Sequence, residues 1–226
     1  MPPNKYEEGQ MLLIDKPLNW TSFDVVRKIR GQIKIKKVGH AGTLDPLASG
    51  LLIVCTGKFT KKINQYMGME KEYTGSFTLG ATTPTYDLES QPTEHRNILA
   101  ITEHDIYQAT LPFTGTIQQV PPIYSAIKKD GKPVYLMARK GIEFTLEPRT
   151  ITINNFTITH MELPVVYFKV VCTTGTYIRS LAHDYGKQLG CGAYLSALRR
   201  TRIGNYLASN ALTMEQMVQQ MQSEKA

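Results

Sequence analysis

Residues 39–50 of this 226-residue chain read Gly39-His40-Ala41-Gly42-Thr43-Leu44-Asp45-Pro46-Leu47-Ala48-Ser49-Gly50. We interpret this stretch as a loop, because its three glycines permit backbone angles that a β-carbon resists and let another molecule approach the main chain closely. Pro46 fixes its own φ and biases Asp45 towards an extended conformation, so the loop presents the carboxylate. The apolar segment 51–55 that follows predicts a buried strand. An acid on a glycine-rich loop next to a buried strand is typical of a reactive group held on a rigid support.

Asp45 also has a simpler interpretation, in which it caps a turn while His40 satisfies a local hydrogen bond. Aspartate before proline commonly serves turn geometry. The twelve-residue string is far more specific than an Asp-Pro pair, and it closely resembles the nucleophile motif of the TruB family of tRNA pseudouridine synthases. We therefore interpret Asp45 as the reactive acid.

Further segments resemble motifs of the same family and occur in the family's order. Together with the loop they extend over roughly residues 11 to 206, so independent coincidence is not a credible explanation. Residues 83–90 follow the family's Thr-x-Thr-x-Asp region only in part, since they lack the glycine that often follows it, and we assign that loop no role. The matching segments are Asp15-Lys16-Pro17, Glu70-Lys71-Glu72-Tyr73, residues 121–128 with Gly131 and residues 135–141, residues 175–181 (GTYIRSL), and residues 195–200 (LSALRR).

The patterns of strands and helices are mixed without a regular βαβ order, which indicates an α+β fold. The resemblance implies the pseudouridine synthase fold, a mixed, largely antiparallel sheet with flanking helices and a central active-site cleft. We expect residues 1–226 to form one catalytic domain, with insertions near residues 82–97 and 124–149. The chain ends soon after its last predicted helix, so we expect no C-terminal PUA-type RNA-binding domain of the kind found in many relatives.

Hydrophobic periodicity predicts the individual elements. A helix that begins at Thr21 or Ser22 should have an apolar face formed by Phe23, Val26, Ile29 and Ile33. Near Asn154-Asn155 the apolar positions of the predicted strand change from one face to the other, which indicates a bulge. Leu198, in a different segment, lies at helical spacing. Further helices are predicted at residues 58–66, 105–113, 134–140, 176–189 and 214–221, and strands at residues 11–14, 72–80, 150–159 and 165–173.

Pseudouridine formation breaks the bond between uracil N1 and ribose C1′, turns the base and joins C5 to C1′. Bond breaking needs a nucleophile or an anionic stabiliser, and the resemblance assigns this role to Asp45. It also implies that Arg179 keeps the Asp45 carboxylate ionised against desolvation. Tyr73 offers a ring that stacks on uracil and a phenol for the late proton transfer from C5. Outside their motifs, Arg179 and Tyr73 would be interpreted as a surface arginine and a core tyrosine.

The resemblance also implies the contacts with substrate. Tyr177 and Leu198 form further walls of the uridine pocket, and His40 supports the disrupted RNA loop. The implied target is uridine-55 in the T-loop of tRNA, recognised largely through its shape. Flipping a base out of a folded loop costs on the order of a few kcal/mol, which phosphate contacts must offset. The candidate contacts, each otherwise a solvated surface cation, are Lys16, Lys61, Lys128 and Arg139.

The composition bounds the class of protein. Lys plus Arg total 26 against 19 Asp plus Glu, and the formal net charge of +7 favours a polyanionic partner. The three cysteines lack the spacing of a zinc site or a disulfide framework, so we expect buried reduced thiols. We expect no metal or organic cofactor, because the isomerisation involves no redox change. Without a membrane span or a signal-peptide core, we expect a cytoplasmic monomer with no obligatory protein partner.

Three rival functions remain open. A catalytic subunit of an RNA-guided pseudouridylation particle depends on a C-terminal RNA-binding domain and on partner proteins, whereas this chain has a long basic insertion at residues 124–149. A non-catalytic tRNA-folding factor should tolerate Asp45→Asn, which an isomerase should not. An N-glycoside hydrolase that uses Asp45 would release free uracil.

Overall fold

The computed structural model describes residues 4–125, 127–129, 132–134 and 145–223, and for residues 128, 129, 132 and 133 it describes the backbone only. The chain divides into two compact units. The first unit comprises Met1–Thr74 and Leu198–Ala226, and the second comprises Gly75–Ala197.

The described elements mix helices and strands along the chain. In order they are α1 (Lys5–Glu8), β1 (Met11–Lys16), α2 (Ser22–Ile33), β2 (Val38–His40), β3 (Ala48–Thr56), a 3-10 helix (Gly57–Lys62), α3 (Ile63–Met67), β4 (Lys71–Leu79), α4 (Glu103–Gln108), a 3-10 helix (Leu111–Phe113), β5 (Gly115–Gln119), β6 (Lys128–Lys129), β7 (Lys132–Pro133), β8 (Arg149–Glu162), β9 (Val165–Cys172), α5 (Ile178–Gln188), β10 (Ala193–Ile203), β11 (Tyr206–Leu207), a 3-10 helix (Ala208–Asn210) and α6 (Met214–Ser223).

Strand pairing is mostly antiparallel. In the first unit, β3 pairs antiparallel with β1 and with β2, and parallel with β10 through residues 198–200. In the second unit, β8 pairs antiparallel with both β5 and β9. Mixed pairing that is largely antiparallel, with helices interspersed along the chain, confirms the predicted α+β class.

The first unit has apolar clusters on both faces of β3, which explains why that strand is hydrophobic at successive positions. Leu52 and Val54 pack with residues of α2 and α6, whereas Leu51, Ile53 and Cys55 join a second cluster with Ile203. Side chains alternate between the two faces of a strand, so a strand covered on both faces cannot alternate polar and apolar residues. Burial of each such side chain stabilises the fold by about 2 kcal/mol.

Helix α2 begins as predicted, but its buried face differs by one position. Thr21 is the N-cap and forms a reciprocal capping box with Asp24. Phe23, predicted to be buried, is 57% exposed, and Val25 is fully buried instead. Because Ser22 turns inwards to hydrogen bond with Leu44, the buried face contains Ser22, and Phe23 points away from it.

The second unit confirms the predicted bulge and contains an aromatic core. The register of β8 against β9 shifts between Ile153 and Asn155. Phe77 stacks on Phe168 and lies against Tyr185 of α5, with ring centroids 4.2 and 5.5 Å apart. The two short strands β6 and β7 pair antiparallel, with Lys128 opposite Pro133 and Lys129 opposite Lys132. Most of the helix predicted at residues 134–140 lies outside the described residues.

Two predicted conformations differ from the structure. The loop predicted at residues 39–50 is shorter, because Gly39 and His40 belong to β2 and residues 48–50 belong to β3. Residues 193–203 form the single strand β10, so Leu198 lies on a strand rather than at helical spacing. Its backbone pairs with Ala48 at the start of β3. Packing against a neighbouring strand overrode the local periodicity.

Two buried side chains brace the loop between β2 and β3. Ser22 Oγ donates to the Leu44 carbonyl at 3.1 Å and accepts from the Leu44 amide at 2.9 Å. Arg200, 1% exposed, donates to the carbonyls of Leu51, Thr43 and Gly42 at 2.8 to 3.4 Å. Gly50 permits this close packing, since a β-carbon there would lie 2.3 Å from the Arg200 carbonyl oxygen.

The two hydrogen bonds between Ser22 and Leu44 predict that Ser22→Ala destabilises the protein. The substitution leaves a buried amide and a buried carbonyl of Leu44 without their partner, and we expect the free energy of unfolding to fall by about 1–3 kcal/mol. Urea unfolding followed by circular dichroism measures the change. Ser209→Ala, at an exposed site of the same unit, is the matched control and should stay within about 0.5 kcal/mol of the original protein. Equal unfolding midpoints for both variants would contradict the brace.

Candidate active site

Asp45 lies half-buried in the braced loop of the first unit. Its carbonyl accepts a hydrogen bond from the Ala48 amide at 3.0 Å, which closes a tight turn before β3. Ala48 pairs with Leu198 of β10, so the backbone of Leu198 lies beside the strand that begins three residues after Asp45. The structure thus brings the predicted reactive acid and one predicted wall of the uridine pocket into the same region.

Lys16 is placed differently from its predicted role. It is fully buried, and its ammonium donates to the carbonyls of Trp20 at 2.6 Å, Pro17 at 2.9 Å and Pro46 at 3.5 Å. Burial lowers the pKa of Lys16 to about 8, while the negative charge of Asp45 opposes this shift. The ammonium is therefore not exposed to a phosphate in this structure, and the predicted RNA contact of Lys16 stays a prediction. Lys16 supplies positive charge to Asp45 and a donor to its loop.

Tyr73 and His40 are two further predicted site residues of the first unit. Tyr73 is 9% exposed on β4, and the carboxylate of the adjacent Glu72 accepts a hydrogen bond from the Thr201 hydroxyl of β10 at 2.8 Å. His40 is half-buried at the end of β2. Burial, followed by the positive charge of Arg200, lowers the pKa of His40, so its imidazole is neutral at pH 7. The stacking and RNA-supporting roles of these two residues stay predictions.

A basic groove of about 900 Å³ lies next to the start of the loop in the first unit. Lys61, predicted to contact RNA, is exposed and lines it, and Gly39 marks its boundary with the loop. Lys58 in the same lining is paired with Glu8 at 2.7 Å. Closely spaced exposed lysines create a positive potential that attracts a polyanion. The lysines that line this groove are Lys34, Lys36, Lys37, Lys58 and Lys61.

Arg179 lies in the second unit at the first turn of α5 and is only 4% exposed. Its guanidinium donates to the carbonyls of Thr85 at 3.2 Å and Tyr124 at 2.9 Å. The Asp87 carboxylate, itself buried, lies 3.6 Å from Arg179 Nε. A planar guanidinium with several fixed acceptors cannot rotate freely, so this cation has a defined direction.

Asp87 is a buried neighbour of Arg179 that sequence reasoning missed. It belongs to the loop that we assigned no role, because that loop lacks the glycine that often follows the family's Thr-x-Thr-x-Asp pattern. Thr83, Thr85 and Asp87 all fit that pattern, and of these three residues Thr85 and Asp87 contact Arg179. Their agreement with the pattern was therefore the available signal.

Tyr177 immediately precedes α5 and is half-buried. Its backbone is held by the buried side chain of Gln119, which accepts from the Tyr177 amide at 2.8 Å and donates to its carbonyl at 3.1 Å. This two-point contact fixes the start of the helix that carries Arg179. The wall role of Tyr177 stays a prediction.

The remaining predicted RNA contacts lie where side chains are not described. Lys128 is described through its backbone in β6 only, and Arg139 lies outside the described residues. Within the described part of the chain, no group of three or more His, Cys, Asp or Glu side chains is arranged to hold a metal ion. All three cysteines are buried free thiols, as predicted.

The helices of the described residues are all too short or too polar to cross a membrane.

Models of two protein families match consecutive parts of the chain. The TruB family pseudouridylate synthase N-terminal domain matches residues 30–178, and the tRNA pseudouridylate synthase B C-terminal domain matches residues 179–226. Among curated relatives, tRNA pseudouridine synthase B of Flavobacterium johnsoniae is 53% identical over 224 residues, covering 94% of this chain and 96% of the relative. That of Parabacteroides distasonis is 47% identical over 220 residues, with 92% of each chain covered.

Solved structures show the same fold. A chain in a Cbf5-Nop10-Gar1 complex matches with a TM-score of 0.74 and 31% identity, covering 95% of this chain and 54% of that one. A chain of an H/ACA RNP bound to a substrate RNA containing 2′-deoxyuridine matches with a TM-score of 0.72 and 28% identity, covering 97% and 55%. This chain therefore spans about half the length of those solved chains. Since the N-terminal family model covers most of the sequence and the curated relatives match it nearly end to end, this protein belongs to the TruB family of pseudouridylate synthases.

Proposed function

We propose that this protein isomerises uridine to pseudouridine in tRNA, and that its target is uridine-55 of the T-loop. The supporting observation is the match to relatives named tRNA pseudouridine synthase B along nearly their whole length, together with an intact and braced loop around Asp45. Uridine-55 itself comes from the resemblance of the motifs to those of the family.

In this proposal the Asp45 carboxylate acts on the glycosidic bond of the flipped uridine. Attack at C1′, attack at C6 and assistance to glycal elimination all require an ionised and well-placed carboxylate. The buried ammonium of Lys16 lies close to this carboxylate, and the braced loop holds the group in place before substrate arrives. Such preorganisation is worth more in a water-excluded site than in bulk water.

Arg179 and Tyr73 complete the proposed chemistry. Arg179 presents a guanidinium whose direction is fixed by the carbonyls of Thr85 and Tyr124, and we assign it to the charge on Asp45. Tyr73 stacks on the uracil and takes part in removal of the C5 proton after the base has turned. The base turns within the site without a net change of oxidation state, so the proposal includes no cofactor.

The proposed RNA contacts divide between the pocket and the surface. Tyr177 and Leu198 line the uridine pocket, and His40 supports the opened RNA loop. Lys61 and its neighbours in the basic groove bind phosphates, as do Lys128 and Arg139. Phosphate contacts carry no base sequence, which fits recognition of the T-loop through its shape. We propose that the protein acts as a cytoplasmic monomer without an obligatory partner.

Asp45→Asn should abolish turnover, because an amide neither attacks carbon nor stabilises a developing cation. Tritium release from tRNA that carries 5-tritiated uridine measures turnover, and we expect about one tritium per tRNA from the original protein and none from the variant. Asp105→Asn, which keeps a capping side chain at an exposed position of α4, is the control and should behave as the original protein. Tritium release by Asp45→Asn would point to a different catalytic group. Free uracil in the reaction would instead identify a glycoside hydrolase.

Uridine-55 should be the only modified position in an unmodified tRNA transcript. Pseudouridine-specific chemical labelling followed by primer extension locates the product. A transcript with cytidine at position 55 and an otherwise unchanged T-arm is the matched control and should give no labelled stop. A stop at another position, or one that persists in the control transcript, would contradict the assigned target.

The basic groove should contribute to tRNA affinity through charge. Exchange of both Lys36 and Lys61 for alanine should weaken binding roughly tenfold and should lower the slope of log affinity against log salt by about 1 to 2. Filter binding between about 50 and 200 mM salt measures both quantities. Lys187→Ala, at an exposed lysine of α5, is the control for a general loss of charge. An unchanged salt slope in the double variant would show that the groove does not contact phosphates.

A further inference from the structure

The loop around residues 83–87 contains a tyrosine whose backbone has a conformation that residues other than glycine rarely adopt. Tyr86 has a φ of 63°, in the left-handed region that favours glycine. Its ring stacks on that of His183, with the centroids 4.1 Å apart and the planes inclined by 17°. Burial lowers the pKa of His183, so a neutral imidazole faces the phenol ring at pH 7. A strained conformation persists only where its surroundings impose it, and here the stacked ring is such a surrounding.

The backbone of Tyr86 is also tied at both ends. Its amide donates to the Thr83 carbonyl at 3.1 Å, and its carbonyl accepts from the Leu195 amide of β10 at 2.9 Å. The residues on either side of Tyr86 are Thr85 and Asp87. The strained residue therefore lies between the two loop positions that contact Arg179.

Helix α5 presents Arg179 and His183 to the same loop. The two residues are four positions apart, so they lie one helical turn from each other on one face. Thr85 and Asp87 contact Arg179 at the first turn, and Tyr86 stacks on His183 at the second. The left-handed turn at Tyr86 lets consecutive residues of a short loop reach both turns of the helix.

We propose that the stack of Tyr86 on His183 positions Arg179 for the reaction. The stack holds the loop in its left-handed turn, and the turn aims the Thr85 carbonyl and the Asp87 carboxylate at the guanidinium. Without the ring, the loop relaxes, and Arg179 loses the Thr85 carbonyl as an acceptor and the Asp87 carboxylate as a nearby negative charge. Catalytic groups must be held within about 0.5 Å of their productive geometry, so even a small relaxation lowers the rate. This inference rests on the role of Arg179 in the proposed function.

Four variants separate positioning from simple stability. Tyr86→Gly removes the ring and also relieves the left-handed strain, because glycine adopts a φ near 60° readily. Tyr86→Phe and His183→Phe keep a ring on each side of the stack. Tyr167→Ala removes a tyrosine of the same unit that lies against another histidine, His160, with centroids 5.6 Å apart, and serves as the matched control.

The variants should differ in the rate of the chemical step. In single-turnover tritium release with enzyme in excess, we expect Tyr86→Gly to react roughly tenfold more slowly, whereas both phenylalanine variants stay within about twofold of the original protein. The dissociation constant for tRNA and the melting temperature of Tyr86→Gly should remain close to the original values. Tyr167→Ala should match the original protein in rate, affinity and melting temperature.

A second readout does not depend on activity. The side-chain Nε–H signal of Arg179 in a ¹H–¹⁵N NMR spectrum should be sharp in the original protein and should shift or broaden in Tyr86→Gly only. An unchanged Arg179 signal contradicts the positioning role, even in a protein that shows no turnover. Normal turnover by Tyr86→Gly also contradicts it. So does a rate of both phenylalanine variants that is as low as that of Tyr86→Gly. An original protein that binds tRNA but releases no tritium contradicts the proposed function instead.

Discussion

The main chain of the loop between β2 and β3 is held by buried hydrogen-bond donors that come from three other elements of the first unit. Lys16 at the end of β1 donates to Pro46, Ser22 at the start of α2 donates to Leu44, and Arg200 of β10 donates to Gly42 and Thr43. A loop whose polar groups were left to water would sample several conformations and spread the Asp45 carboxylate over several ångströms. Satisfying these carbonyls from inside the protein removes that freedom. Elements from several parts of the first unit therefore fix the position of the loop that carries Asp45.

The same donors set the electrostatics of the loop. Lys16 and Arg200 are both almost completely buried, and each places a positive charge close to the loop. Buried cations are costly unless they are paired and hydrogen bonded, and here the carbonyls of the loop supply the hydrogen bonds. Arg179 follows the same rule in the second unit, where Asp87 and two carbonyls hold its guanidinium. Each unit thus carries charged groups that are fixed before any substrate binds.

Sequence alone predicted the parts of this arrangement that depend on local chemistry. The glycine-rich string identified the loop, Thr21 identified the start of α2, and the parity change at Asn154-Asn155 identified the bulge in β8. Prediction from sequence failed at residues whose conformation is determined by tertiary contacts. The local sequence does not show that the Lys16 side chain is buried, because a lysine before a proline is equally compatible with an exposed side chain. Leu198 was misread for a related reason, since pairing with β3 rather than local periodicity makes residues 193–203 a strand.

The partner of a buried charge is equally hard to predict from sequence. Asp87 lies 92 positions before Arg179 in the chain, and only the packing of the 83–87 loop on α5 brings the two side chains together. The stack of Tyr86 on His183 is of the same kind, because its two aromatic rings belong to segments with no shared sequence pattern. Such pairs become visible only when the backbone is known. The chemistry-bearing loop, in contrast, is recognisable from twelve consecutive residues.

The central claim is that the position of the Asp45 carboxylate, and not its charge alone, controls the reaction. The most direct test is the single-turnover rate constant of pseudouridine formation by Asp45→Glu, measured by rapid quench with tRNA fully bound. Glutamate keeps the charge but moves it by one methylene group, and we expect the rate constant to fall by on the order of a hundredfold while the dissociation constant for tRNA stays the same. A glutamate variant that reacts as fast as the original protein would contradict this account.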